Sequence, residues 1–253
     1  MKTIAFGIQK GGVGKTSISC TTACHIATKG RTILLDFDPQ GNASTWLALM
    51  GPQYELATVL GGKVTVDKAI TPTTIPNLDI LATFGLDGEL KLYSETQLLT
   101  EPLIVFELMK EIAALGYEYA VMDLSPGMGA LEKAALRGAD EVVTPMTPEA
   151  FGLDGLQIFN NELAKAIKPF KSFMAGPVYR RIVVNAHDDR IKQHGDIYVK
   201  IKELPYEIYK VPVDPAFRKA QIANKALIQL DRKDGAKVET MAEIARLGDA
   251  LCL

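Results

Sequence analysis

Cysteine is scarce in this chain, with three among 253 residues. An odd and small number excludes a disulfide framework and fits a reducing cytoplasm. Cys20 and Cys24 lie one helical turn apart with His25 beside them. No second ligand pair follows, so a buried helix face explains them better than a metal or redox site. Long hydrophobic runs are missing as well. Nothing approaches the roughly 18 uninterrupted apolar residues of a spanning helix. The opening "MKTIAFGIQK" has one early lysine and too short an apolar run for a secretory signal. There is no internal repeat, no low-complexity linker and no sharp break in composition, so one domain over residues 1–253 is expected. Strong net charge is also lacking, at −2, but the total hides a division. Residues 1–164 carry a net −8 and residues 165–253 a net +6. A basic half joined to an acidic half suits a polyanionic partner for the basic one.

What is present is an ordinary globular composition, 47% hydrophobic and 23% charged, sufficient for a large α/β core. Short apolar runs alternate with helical stretches. Strands are predicted at 3–8, 32–38, 77–83, 119–123, 141–145 and 181–185. Helices are predicted over 16–29, 102–115, 130–138, 153–167, 190–203 and 236–251. The strands are continuously apolar rather than alternating, which predicts a mostly parallel, doubly wound α/β sheet covered on both faces.

Between the first strand and the first helix runs "QKGGVGKTS" (9–17). The strict phosphate-loop pattern requires Gly where this chain has Gln9, but strand, Gly-rich turn, Lys-Thr and helix follow in the right order. Gly11, Gly12 and Gly14 admit backbone angles other residues avoid, letting amides from Gly11 through Val13 to Ser17 converge on phosphate oxygens. The helix N-terminus adds partial positive charge. Lys15 would neutralise terminal phosphates and the Thr16 hydroxyl would hold Mg²⁺, making ATP and Mg²⁺ the expected ligands. "LLDFDPQGN" (34–42) ends the second strand with Asp36 and Asp38 two residues apart, on one face of an extended chain. Asp123 ends the apolar run "YAVMD", the usual place of a carboxylate that holds metal through water.

Lys10 is one lysine more than a phosphate loop needs. "KGGVGKTS" resembles the deviant Walker A motif of the ParA/MinD family of ATPases, a P-loop NTPase fold of the SIMIBI type. The resemblance implies that Lys10 reaches across a homodimer with ATP sandwiched in it, to phosphates held by the other subunit. It also implies that Asp38 activates water, that Asp36 supports the Mg²⁺ shell, and that Gln40 to Asn42 form a nucleotide-sensing switch. The "PQGN" continuation is similar to ParA rather than MinD proteins. Ser125 stands where ParA proteins usually carry a second proline. Residues 138–156 resemble the family's strand and dimer-contact helix. Asn185, Pro212 and Asp214 match places where related ATPases hold adenine, and an Asn amide can both donate to and accept from a base edge.

ParA dimers bind DNA without sequence preference through scattered C-terminal cations. Here the resemblance selects Arg190 and Lys192 in "DDRIKQ", and Arg218 and Lys219 in "PAFRKAQ"; Lys200, Lys202, Arg232 and Lys233 are further candidates. Cations without interleaved aromatics suit phosphate contact rather than base reading. The implied function is a slow DNA-partition ATPase of the cytoplasm and nucleoid, stimulated by a ParB-type centromere-binding protein. No helix-turn-helix extension precedes the first strand, so operator binding is not expected. Two alternatives stay open: a MinD-like positioning ATPase, and a metabolic ligase-type enzyme of the same fold, such as a dethiobiotin synthetase or cobyrinate amidase. The final segment (238–253) has an apolar helical face but an acidic polar face, which favours packing on the core over a membrane.

Overall fold

The computed structural model describes residues 1–149, 152–231 and 233–253. The chain begins β1 (Lys2–Phe6), α1 (Lys15–Ile26), β2 (Thr32–Phe37), α2 (Asn42–Leu47), α3 (Leu56–Leu60) and α4 (Val66–Ala69). It continues through β3 (Ile70–Pro72), β4 (Leu78–Leu81), α5 (Leu90–Thr96), α6 (Ile104–Ala114), β5 (Tyr119–Leu124), α7 (Ala130–Arg137) and β6 (Glu141–Met146). The last third is α8 (Gly152–Ile167), β7 (Val178–His187), α9 (Lys192–Lys202), β8 (Glu207–Pro212), α10 (Ala216–Ile222) and α11 (Val238–Leu251).

The strands form one eight-stranded sheet in the order β3-β4-β2-β5-β1-β6-β7-β8. All neighbours are parallel except β3 and β4. The central strands are buried almost throughout, β2 and β6 at every residue, because helices cover both faces. One face packs Leu35, Phe37, Met122 and Leu124 against Leu108, Ile112, Leu131 and Phe159. The other packs Ile4, Phe6, Leu34 and Val121 against Ile18, Cys20, Ile26, Ile244, Leu247 and Leu251. Cys20 and Cys24 are thus core residues, and burial pushes the Cys24 thiol up to about 12. The terminal helix α11 likewise lays its apolar face on the core, with Ile244, Leu247 and Leu251 buried.

Two strands were not legible. β3 is three residues ending in Pro72, too short to leave a pattern. β8, "EIYKVP", buries only alternate residues because it is an edge strand. Its outer backbone is covered by α11 side chains. Lys210 N donates to Glu243 Oε2 at 2.9 Å, and Arg246 Nη2 donates to the Ile208 carbonyl at 2.8 Å. The short helices α2 to α5 and α10 were also missed. Of the predicted interface stretch 138–156, residues 150 and 151 lie outside the described residues, as does Arg232.

Candidate active site

The loops leaving the carboxyl ends of β1, β2 and β5 meet at one crevice, the usual ligand position in a doubly wound sheet. After β1 the chain turns through Gly12 and Gly14, whose φ values of 73° and 87° lie in the left-handed region. A Cβ on Gly14 would collide with the Asn185 amide nitrogen. That nitrogen instead donates to the Val13 carbonyl at 2.9 Å, so β7 buttresses the loop from beneath. Gly14 precedes α1, whose first turn holds Lys15, Thr16 and Ser17 and has no side-chain cap. Lys15 is buried, and its Nζ donates to the Lys10 carbonyl at 3.0 Å. Burial lowers its pKa, opposed by the charges of Asp123, Asp38 and Glu132. Lys10 itself is half exposed and forms an ion pair with Glu149.

The carboxylates have different duties. The β2–β5 register sets Asp36 directly beside Asp123, both with no exposure. Burial and then the Asp36 charge raise Asp123 to about 7, with the Ser19 hydroxyl among the groups acting against them. Asp36 is raised to about 6 by burial, countered by its Ser44 and Asp38 hydrogen bonds. Asp36 is saturated. Its Oδ2 accepts Ser44 N and Oγ at 2.8 and 2.7 Å, and its Oδ1 accepts Asp38 N at 3.1 Å. Ser44 Oγ also accepts Thr83 N at 2.8 Å, extending the network to the loop just past β4. Asp36 therefore anchors α2, leaving at most a supporting place beside a metal. Asp123 Oδ1 accepts Ser19 Oγ at 2.9 Å, while Oδ2 is buried with no hydrogen-bond partner among the described residues. A buried carboxylate oxygen without a donor suits a metal or its water. Asp38 lies just past β2 and is nearly buried; its Oδ1 accepts Gln40 N at 2.9 Å, shaping the turn through Gly41 into α2.

Ser125 donates to Glu132, whose Oε2 also accepts Gly129 N at 2.7 Å. The serine that replaces the expected proline thus ties the loop after β5 to the start of α7.

Of the three residues expected around a base, Asn185 and Pro212 lie near the carboxyl ends of β7 and β8. Asp214 is committed elsewhere: it accepts Ala216 N, Lys237 N and Thr240 Oγ1 at 3.0, 2.7 and 2.7 Å. It clamps the start of α10 to α11. The four basic residues emerge in two pairs from the adjacent ends of β7 and β8. Arg190 is bound by Asp188 through Nε and Nη2, at 2.9 and 2.7 Å, which holds that carboxyl well below its usual range. Lys219 pairs with Asp234 at 2.8 Å. Lys192 and Arg218 are exposed and make no ion pair among the described residues. Ser44, Glu132 and Glu149 were missed. Ser44 stands within the second motif's stretch, but their partners are set by tertiary packing.

A Gly-rich turn, a buried lysine and strand-end carboxylates at the centre of a parallel sheet define a phosphate-loop nucleotide-binding protein. The AAA domain family matches residues 1–175. Uncharacterized protein BBD21 of Borreliella burgdorferi is 31% identical over all of both chains. The sporulation initiation inhibitor protein Soj of Bacillus subtilis is 36% identical over 63% of this chain and 64% of its own length. A putative plasmid partition protein of Borrelia burgdorferi B31, solved with AMPPNP, superposes with TM-score 0.76 at 20% identity, over 97% of each chain. The chain belongs to this AAA domain family, among the partition ATPases of the ParA/MinD type. No helix among the described residues is long and apolar enough to cross a membrane.

Proposed function

We propose that residues 1–253 act as one ParA-type positioning ATPase domain. Its ATP-bound homodimer binds duplex DNA without sequence preference, and a ParB-type centromere-binding partner releases it by stimulating slow hydrolysis. The observation that carries this reading is the buried Lys15 ammonium, held at the loop and facing Asp123 and Asp38. A buried cation costs desolvation energy, and this one lies where phosphoryl charge would gather.

Residues Gly11 to Ser17 hold the phosphates, and Lys15 neutralises their charge as it spreads in the transition state. Thr16 and Asp123 are the residues that would hold Mg²⁺, with Asp36 in support. The ion supplies neutralisation of the phosphate oxygens. Asp38 orients the attacking water and takes its proton at Oδ2, because Oδ1 is occupied by Gln40 N. Water oxygen bonds to the γ-phosphorus as the bridging bond to ADP breaks. Lys10 leaves Glu149 and reaches the phosphates of the other copy. Asn185 and Pro212 flank the base. Arg190, Lys192, Arg218 and Lys219 contact DNA phosphates, placing the protein on the nucleoid in the cytoplasm.

The test is binding to unrelated duplex DNA with Mg-ATP, with Mg-ADP and without nucleotide, over a salt series. The expected result is ATP-dependent binding, weakened by Arg218→Ala. Its logarithmic salt slope should be about −5 if about six phosphates are neutralised. Absence of binding in every state, with dimerisation intact, overturns the DNA partner and favours a protein or membrane target.

A further inference from the structure

The helix α10 touches the nucleotide crevice at one end only. Its start is fixed by Asp214, and its inner face is buried through Ala216 and Ala220. Its outer face carries Arg218 and Lys219. At the far end, Gln221 Nε2 donates to Ser17 Oγ at 3.2 Å, one residue beyond Thr16. Four residues later, the Lys225 carbonyl accepts the indole Nε1–H of Trp46 at 2.8 Å. Trp46 is a buried residue of α2, the helix that Asp36 and Ser44 anchor. Between these two contacts lies a cavity of about 290 Å³ lined by Thr16, Asn42, Thr45, Trp46, Gln221 and Asn224. Asn224 adopts φ 49°, which turns the chain back after α10. The phosphate loop and the switch helix α2 are therefore each wired to the end of α10 by one side-chain hydrogen bond, with open space between them.

We propose that Gln221 is a positioning residue that reports nucleotide occupancy to the basic helix α10, with Trp46 holding the other side of the linkage. The inference rests on the reading of the crevice as a nucleotide site. The Gln221–Ser17 bond joins two neutral groups, and one of them is exposed. A phosphate oxygen accepting from the Ser17 hydroxyl forms a charge-assisted bond about twice as strong. That donation leaves the Ser17 lone pairs to Gln221 and pins the serine rotamer, so loading strengthens the Gln221 bond and steadies the end of α10, whose start Asp214 already holds. The linkage transmits no more than the contact it strengthens. One neutral hydrogen bond corresponds to about a two- to tenfold change.

The test is hydrogen exchange of the full chain with and without Mg-AMPPNP, for the native protein, Gln221→Ala and Trp46→Phe. Gln221 is exposed, so its truncation spares the core; Trp46→Phe removes the N–H and keeps a ring. In the native protein, nucleotide should protect amides 11–17 and slow exchange at 220–226 by up to about two- to tenfold. In Gln221→Ala, 220–226 should exchange fast without nucleotide and change no further, while 11–17 are still protected. Protection of 11–17 with no response at 220–226 in the native protein overturns the linkage and spares the nucleotide site. So does an unchanged response in Gln221→Ala. Absence of protection at 11–17 defeats the nucleotide reading, and the linkage with it.

Discussion

The Asn185 side-chain amide fills the space that a Cβ on Gly14 would need and donates to the Val13 carbonyl at 2.9 Å. A residue 171 positions downstream of Gly14 therefore sets the shape of the phosphate loop. Gly14→Ala must bear a left-handed φ, costing about 1–2 kcal/mol, and must also displace Asn185. ATP affinity measured by calorimetry should fall at least about tenfold. Asn185→Ala, which leaves the Val13 carbonyl unpaired, should cost about 1–3 kcal/mol in urea unfolding.

Asp36 and Asp123 give the ligand-free protein an unusual pH dependence. Both carboxyls are raised in the folded state, to about 6 and about 7, against about 4 when unfolded. The folded state thus binds more protons between those values. Stability falls as pH rises through that window. Thermal melts without metal or nucleotide should show Tm rising as pH is lowered from 7.5 to 5. Asp123→Asn should remove most of that slope, and Mg-ATP should flatten it in the native protein.

Asp38→Ala tests the chemical step. The variant should bind ATP within a few-fold of the native protein while steady-state hydrolysis drops about a hundredfold or more. Retained turnover would show that another group activates the water.

Glu149 holds Lys10 within its own chain. The pair is exposed and worth little, so Glu149→Ala should tighten ATP-driven self-association by no more than about threefold in sedimentation. Lys10→Ala should abolish that association and leave nucleotide binding to the single chain.

Ser44 serves Asp36, its own helix start and Thr83 together. Ser44→Ala should cost about 1–3 kcal/mol in urea unfolding, because it strips donors from a buried carboxylate.

The chemistry at strand ends was legible because each motif combines a local backbone signal with a charged residue. The glycines before Lys15 and the apolar runs ending at Asp38 and Asp123 are of this kind. Six of eight strands could be read for the same reason: central parallel strands are buried on both faces and leave unbroken apolar runs. β8 was hidden because an edge strand alternates, and its Glu207 and Lys210 read as surface residues. Asp214 illustrates the other limit. Its place in the sequence suggested a base contact, but its three partners come from α10, Thr240 and Lys237, a pairing that only the tertiary fold creates. Glu149 and Gln221 were silent for the same reason.

The Glu243–Arg246 pair at the β8 edge has a consequence for self-association. A free sheet edge offers carbonyls and amides to any strand that passes, and growth by that route has no natural stop. Here the carboxylate takes the Lys210 amide and the guanidinium takes the Ile208 carbonyl. The two side chains thus occupy backbone positions that a docking strand would use. At this edge, growth into an open-ended ribbon is blocked.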